Sequence, residues 1–280
     1  MDQNRLERKS TIASMMQAQF RRYKNNKIFV FDKGGSAQPI CLATGGKHYE
    51  IGADDDPLEF YPLGNVDGTK KDFLFCVEFI ETLVILQGEK VTTEDRTEIT
   101  NSLKLLKDGE RIQPKTITDF RNTTTNQKIK NALAYYDQDG PFPLLSGDKS
   151  SLDFKGMTVF EMGELMDMGE KALLPTLIYI FHEIKKSLDG SPAYIHIAEA
   201  WTFFSHPVFR DKLVSFLKEL RKLNCVVGLD TQSLADARDS GILPVLIESC
   251  PTKIYLGNPE AFSQGTPSEP GVYETYKVLA

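Results

Sequence analysis

The chain has 280 residues, 41% hydrophobic and 26% charged, enough for one large domain or two small ones with a sizeable core. A net charge of −6 and an isoelectric point near 5.4 weigh against a protein whose whole surface grips nucleic acid or anionic lipid, because phosphate contacts need a basic face. No apolar run reaches the roughly 18 residues of a membrane span, and the first residues lack the apolar centre of a signal peptide, so a soluble protein is expected.

In chain order, residues 9–23 read as a helix, with Ile12, Met15, Met16 and Phe20 on one face. Residues 27–32 are a short apolar run closed by Lys33-Gly34-Gly35, a buried strand and its turn. Residues 42–51 read as a strand or hairpin around Gly45-Gly46. From 53 to 150 the texture changes. Loop signals at 54–57 and 64–68 precede an apolar helix at 73–87, a second helix opening at Thr93, and one or two more across 115–136. The stretch is a helical insertion, 53–150, ended by Gly140-Pro141-Phe142-Pro143. A β-then-α rhythm follows. It has a strand at 157–161, a helix through Leu173, Leu177, Ile180 and Ile184 with Pro175 tolerable only in its first turn, and a strand at 193–198. Next come a helix opening near Ser205 and Pro207, a strand at 225–230, a helix at 234–247 and a last strand at 253–256. Alternating strands and helices predict a parallel sheet flanked by helices, an α/β fold assembled from 1–52 and 151–280. The cysteines Cys41, Cys76, Cys225 and Cys250 form no C-x-x-C pair and no metal-ligand spacing with the histidines, so reduced thiols are expected.

Three places carry the residue types of phosphate chemistry. Lys9-Ser10-Thr11 opens a helix that leads into a buried strand, as the end of a phosphate-binding loop does; the same tripeptide is also an ordinary helix cap. Tyr194–Trp201 is an apolar strand ending at Glu199, where a strand tip can present a water-activating carboxylate to the carboxyl edge of a sheet; a plain polar turn is the other reading. Strand 225–230 runs into Thr231-Gln232-Ser233, where Gln232 can sense a γ-phosphate or the hydroxyls can cap a helix.

The three stand in the order of a nucleotide motor. With Gln19–Tyr23, Ile28–Ser36, His206–Phe209, Leu220–Asn224, Thr231–Asp236 and Ile247–Thr252, nearly the whole chain resembles the conjugal-transfer ATPases of the TrbE and CagE type. The resemblance implies a RecA-like P-loop domain with an appended all-α subdomain, working in the cytoplasm at the inner membrane through type IV secretion partners. It also implies ATP and Mg2+ as cofactors and a homo-oligomer, a hexamer in the intact family. Carried over by residue, Lys9, Ser10 and Thr11 bind ATP, the Ser10 hydroxyl holds the metal, Glu199 is catalytic and Gln232 is the sensor. Arg221 reaches phosphate across a subunit interface or is a solvated charge at a helix end. A small basic cluster, Arg21, Arg22, Lys24 and Lys27, is the one feature that favours DNA contact.

Three departures from that pattern stand out. Only eight residues precede Lys9, too few for the central strand that normally leads into the loop. Arg8 and Gln3 stand where loop glycines belong, and Ala198 stands where the metal-linked Asp belongs. Losing one such group typically costs roughly a hundredfold in rate. The expectation is a truncated or decayed copy, or an excerpt, with a scaffold that does not hydrolyse ATP as the alternative to a working motor.

Overall fold

The computed structural model describes residues 3–53, 58–109, 114–198, 207–231, 250–254 and 256. Its centre is a five-stranded sheet of β1 (Lys27–Asp32), β2 (Lys47–Glu50), β3 (Met157–Glu161), β4 (Ala193–Ile197) and β5 (Cys225–Leu229), in the order β2-β3-β1-β4-β5. β1 pairs in parallel with β3 and β4, and β4 pairs in parallel with β5. A central parallel strand is covered on both faces and so reads as a continuous apolar run. Lys-Ile-Phe-Val-Phe-Asp does this, with every residue after Lys27 buried.

Alternation sorts the two faces of β1. Ile28 and Val30 join Ala37, Cys41, Met157, Val159 and Tyr194 in one core, with Phe20 and Ile40 packed against it. Phe29 and Phe31 serve an aromatic layer on the other face. Phe29 meets Phe154 edge-on at 5.2 Å, Phe31 lies 5.0 Å from Phe160, and Tyr49 stacks on Phe160 at 6.0 Å.

The chain divides into two compact units. The first, Met1–Tyr49, Phe154–Glu161 and Ser187–Ala280, holds the sheet with α1 (Gln3–Phe20) and α2 (Gln38–Ala43). The second is Glu50–Asp153 with Met162–Lys186, so it extends past the expected insertion 53–150. It holds α3 (Lys70–Leu86), α4 (Thr93–Asp108), α5 (Ile117–Thr123), α6 (Gln127–Leu133) and α7 (Gly163–Asp167), and nearly all of α8 (Glu170–Ser187). Three of its helices open on the same device, Thr-x-x-Asp: Thr69 with Asp72, Thr92 with Asp95, and Thr116 with Asp119. In each, the threonine hydroxyl accepts from the aspartate N–H while the carboxylate accepts from the threonine N–H, satisfying two donors that a helix start leaves open.

Several expectations change. α1 runs from Gln3 to Phe20 rather than over 9–23, so Lys9 lies within the helix and not at its start. Residues 42–51 are not one hairpin: α2 ends at Ala43, Gly45 turns the chain at φ +68°, and β2 follows. Pro175 lies in the second turn of α8, not the first. A proline there cannot donate to the carbonyl of Lys171, and the Tyr136 hydroxyl donates to that carbonyl instead, at 2.9 Å. Lys253, Ile254 and Leu256 lie in no strand, and the helix expected at 234–247 falls outside the described residues. The last helix of the described chain, α9 (Pro207–Leu220), starts on its proline, a favoured first helical position. It ends through a tight turn, Arg221–Leu223, into Asn224 at φ +56°, a left-handed position that asparagine tolerates.

Candidate functional site

A pocket of about 450 Å³ opens at the carboxyl ends of β1, β4 and β5, the edge where α/β sheets bind ligands. Its wall includes Lys9, Ser10 and Gln17 from α1, Asp32 to Gly34 after β1, His196 and Ala198 from β4, and Asp230 after β5. The loop after β1 is tied down at two strand tips. The Asp32 carboxylate accepts from the Ser36 hydroxyl and the Ala37 N–H, both at 2.7 Å. Glu161 accepts from the N–H groups of Gly34 (3.0 Å) and Gly35 (2.8 Å). Both glycines have positive φ, +90° and +72°, so their amides face one anion in a way that side-chain-bearing residues rarely allow.

The floor is a buried polar chain. His196, 5% exposed on β4, donates from Nε2 to the Asp230 carboxylate at 2.9 Å. That bond leaves Nδ1 as the acceptor, and the Gln17 amide and the Tyr194 hydroxyl both approach it at 3.3 Å. Gln17 Oε1 is then buried with no hydrogen-bond partner among the described residues. Tyr194 reaches this position because Gly228 lacks a side chain: a Cβ there would sit 2.5 Å from the hydroxyl. The other Asp230 oxygen accepts from Lys9 Nζ at 2.9 Å. Burial pushes the Asp230 carboxyl up, but the His196 hydrogen bond and the Lys9 charge outweigh it and hold the group below the usual carboxylate range.

Of the residues expected to form the site, Lys9 and Ser10 line this pocket, and Thr11 is exposed outside it. Ala198 lies in the wall. Glu199, Gln232 and the Arg221 side chain fall outside the described residues. Because α1 is already helical before Lys9, the amides of 9–11 sit in helix and offer no glycine cradle, so an anion here is met by side chains. Gln17, His196 and Asp230 had no motif to announce them. A signal did exist, since Tyr194 and His196 alternate on one strand face and Asp230 closes the next strand. In the basic cluster, Lys27 is engaged by the Ser187 carbonyl and by Asp189 at 3.0 Å.

The donor set suits the cofactors named by resemblance. A lysine can meet phosphate, and a hydroxyl with a single carboxylate are hard oxygen ligands of the kind magnesium takes alongside substrate phosphates. Among the described residues no cluster of three or more His, Cys, Asp or Glu could hold a metal by itself.

A parallel sheet flanked by helices, with a lysine and a hydroxyl from α1 and a carboxylate after β5 lining a pocket at its carboxyl edge, defines the class as an open α/β fold. The chain resembles the solved structure of VirB4 of Thermoanaerobacter pseudethanolicus, with a TM-score of 0.63 at 13% identity over 87% of this chain and 78% of that one. By sequence, the chain is similar to proteins named TrbE and virB4, of conjugal transfer and type IV secretion. It is 43% identical over 274 residues to a probable conjugal transfer protein TrbE of Sinorhizobium fredii, covering 96% of this chain and 40% of that protein. It is 44% identical over 276 residues to the conjugal transfer protein TrbE of Rhizobium radiobacter, covering 96% and 32%. It is 27% identical over 257 residues to the type IV secretion system protein virB4 of Bartonella quintana, covering 90% and 32%. The chain thus spans well under half the length of these curated relatives. No protein-family model matches it. No helix among the described residues is long and apolar enough to cross a membrane.

Proposed function

We propose that this chain is the ATP-binding motor domain of a conjugative type IV secretion protein, coupling nucleotide binding and hydrolysis to pilus assembly and to transfer of DNA or protein. The observation that carries the reading is the meeting of Lys9, Ser10 and Asp230 in one pocket at the carboxyl edge of a parallel sheet, in a chain similar to proteins named TrbE and virB4. Lys9 meets the phosphates, the Ser10 hydroxyl faces the metal, and Glu199 and Gln232 act on the attacking water and the γ-phosphate. Arg221 acts from a neighbouring copy, in a homo-oligomer docked on other secretion-system components at the inner membrane.

Titration calorimetry with ATP tests this. The expected result is binding in the micromolar range that strengthens with Mg2+ and falls at least tenfold in Lys9→Ala. No binding at millimolar ATP would overturn it.

A second reading, a nucleotide-insensitive scaffold, is favoured by the helical backbone before Lys9 and by alanine at 198. It requires that the chain associate with secretion partners equally well with and without ATP.

A further inference from the structure

We propose that Asp230 is the magnesium-linked carboxylate of this site, supplying from β5 the acid that β4 lacks at Ala198. The inference rests on the nucleotide reading and deepens it.

The sheet register makes the substitution geometric. Ile197 pairs with Leu229, and the Asp230 N–H donates to the Ile197 carbonyl at 3.2 Å. Asp230 therefore sits beside Ala198, one interstrand spacing of about 4.8 Å away. Both line the same pocket as Lys9 and Ser10. The methyl group of Ala198 takes up little of the space that an aspartate there would fill, and a carboxylate from the next strand reaches the same pocket.

Among the described residues, the other carboxylates near the pocket, Asp32 and Glu161, are committed. Asp32, on the opposite side of Ala198, is 3% exposed and holds Ser36 and Ala37 with its two oxygens. Glu161 holds the amides of Gly34 and Gly35. Asp230 differs in what it holds. One oxygen is fixed by the buried His196, as metal-binding carboxylates are fixed by an outer hydrogen bond. Its other oxygen holds Lys9, the cation that an incoming phosphate claims.

Binding is then an exchange of partners. The phosphate takes Lys9 Nζ, and the oxygen it vacates on Asp230 accepts the metal ion, or a water on it, that arrives with the phosphate. One positive charge leaves the carboxylate and a divalent one replaces it. Without the metal the exchange is a loss, because Asp230 is left partly buried beside a polyphosphate. The Lys9–Asp230 pair thus opposes metal-free nucleotide and favours the magnesium complex.

The test measures ATP affinity of the full chain in EDTA and in Mg2+, for wild type, Asp230→Asn, and Asp230→Asn combined with Ala198→Asp. Wild type should gain at least tenfold from Mg2+. Asp230→Asn should lose most of that gain while binding metal-free ATP as well as wild type or better. Adding Ala198→Asp should bring the gain back. A role confined to holding the fold would weaken both conditions equally, and that result overturns the proposal, as does an unchanged gain in Asp230→Asn. Wild type that binds ATP with no benefit from Mg2+ overturns this proposal alone; wild type that binds no ATP at millimolar concentration overturns the nucleotide reading with it. A readout in the unmutated chain guards against a variant that fails to fold. In aspartate labelled with 13C, Mn2+ with ATP should broaden the Asp230 carboxyl signal far more than that of Asp189, which lies with Lys27 at the other end of β1. Equal broadening sinks the assignment.

Discussion

Two histidines, His196 buried and His182 half-buried, show how far surroundings set a residue's chemistry. His196 is met by Asp230, Gln17 and Tyr194. His182 lies flat on Phe75, ring centres 3.5 Å apart, and burial first, then the nearby Lys186, lowers its pKa from 6.5 to about 4. The folded value lies below the unfolded one, so as pH falls through 6.5 the unfolded chain takes up the proton first. The stability this histidine contributes is full above pH 6.5 and is lost progressively toward pH 4. Melting temperatures should fall from pH 6.5 to 5 in wild type, and His182→Phe, which keeps the stacking without the titration, should flatten that segment. An unchanged slope would show that His182 is solvated in solution. At this scale the sequence was informative where a residue belongs to a contiguous motif, as Lys9 and Ser10 do. It was silent on Asp230, because the partners of Asp230 come from α1 and β4 and meet only through strand register.

Proline at position 175 of α8 is a fault in the hydrogen-bond ladder that a neighbouring segment repairs. Tyr136, fully buried, donates its hydroxyl to Lys171 and accepts from the Gln87 amide at 3.1 Å. Tyr136→Phe should therefore cost about 1–3 kcal/mol, the usual penalty for a buried acceptor left without a donor. In a Pro175→Ala background the helix can supply that donor itself, and the same change should cost less. Denaturant titration of the four proteins checks this, and equal costs in both backgrounds would mean the two sites are not coupled. Most elements were legible because their apolar spacing was long enough to show a period: β1, β3, β4 and β5 all emerge where the apolar runs lie. α2 did not. Six residues with proline at the start hold less than two turns of pattern, and Cys41 is the buried residue among them. The position of Lys9 inside α1 was also hidden, because Leu6 is the one apolar residue in 3–8 and a single apolar residue makes no periodic face to mark them as helix.

On the scale of the whole chain, the parallel sheet flanked by helices was readable from the alternation of strands and helices. Which strands would be neighbours was not, since nothing in the local spacing of β1 says that it pairs with β3 on one side and β4 on the other. The boundary of the helical unit was hidden for a related reason. α7 and α8 follow β3 as a crossover helix would, and only packing assigns Met162–Lys186 to the other unit.

That long-range pairing has a consequence for biosynthesis. Ile28 to Phe31 leave the ribosome early, yet their strand partners begin at Met157 and Ala193. At roughly 5–20 residues per second, this central, buried strand of the sheet waits on the order of ten seconds or more with both edges open. Stalled nascent chains ending near residue 150 should thus remain protease-sensitive around β1 and bind holdase chaperones, whereas chains released past residue 231 should not. Protection of β1 in the shorter chains would mean that an earlier segment shelters it during synthesis.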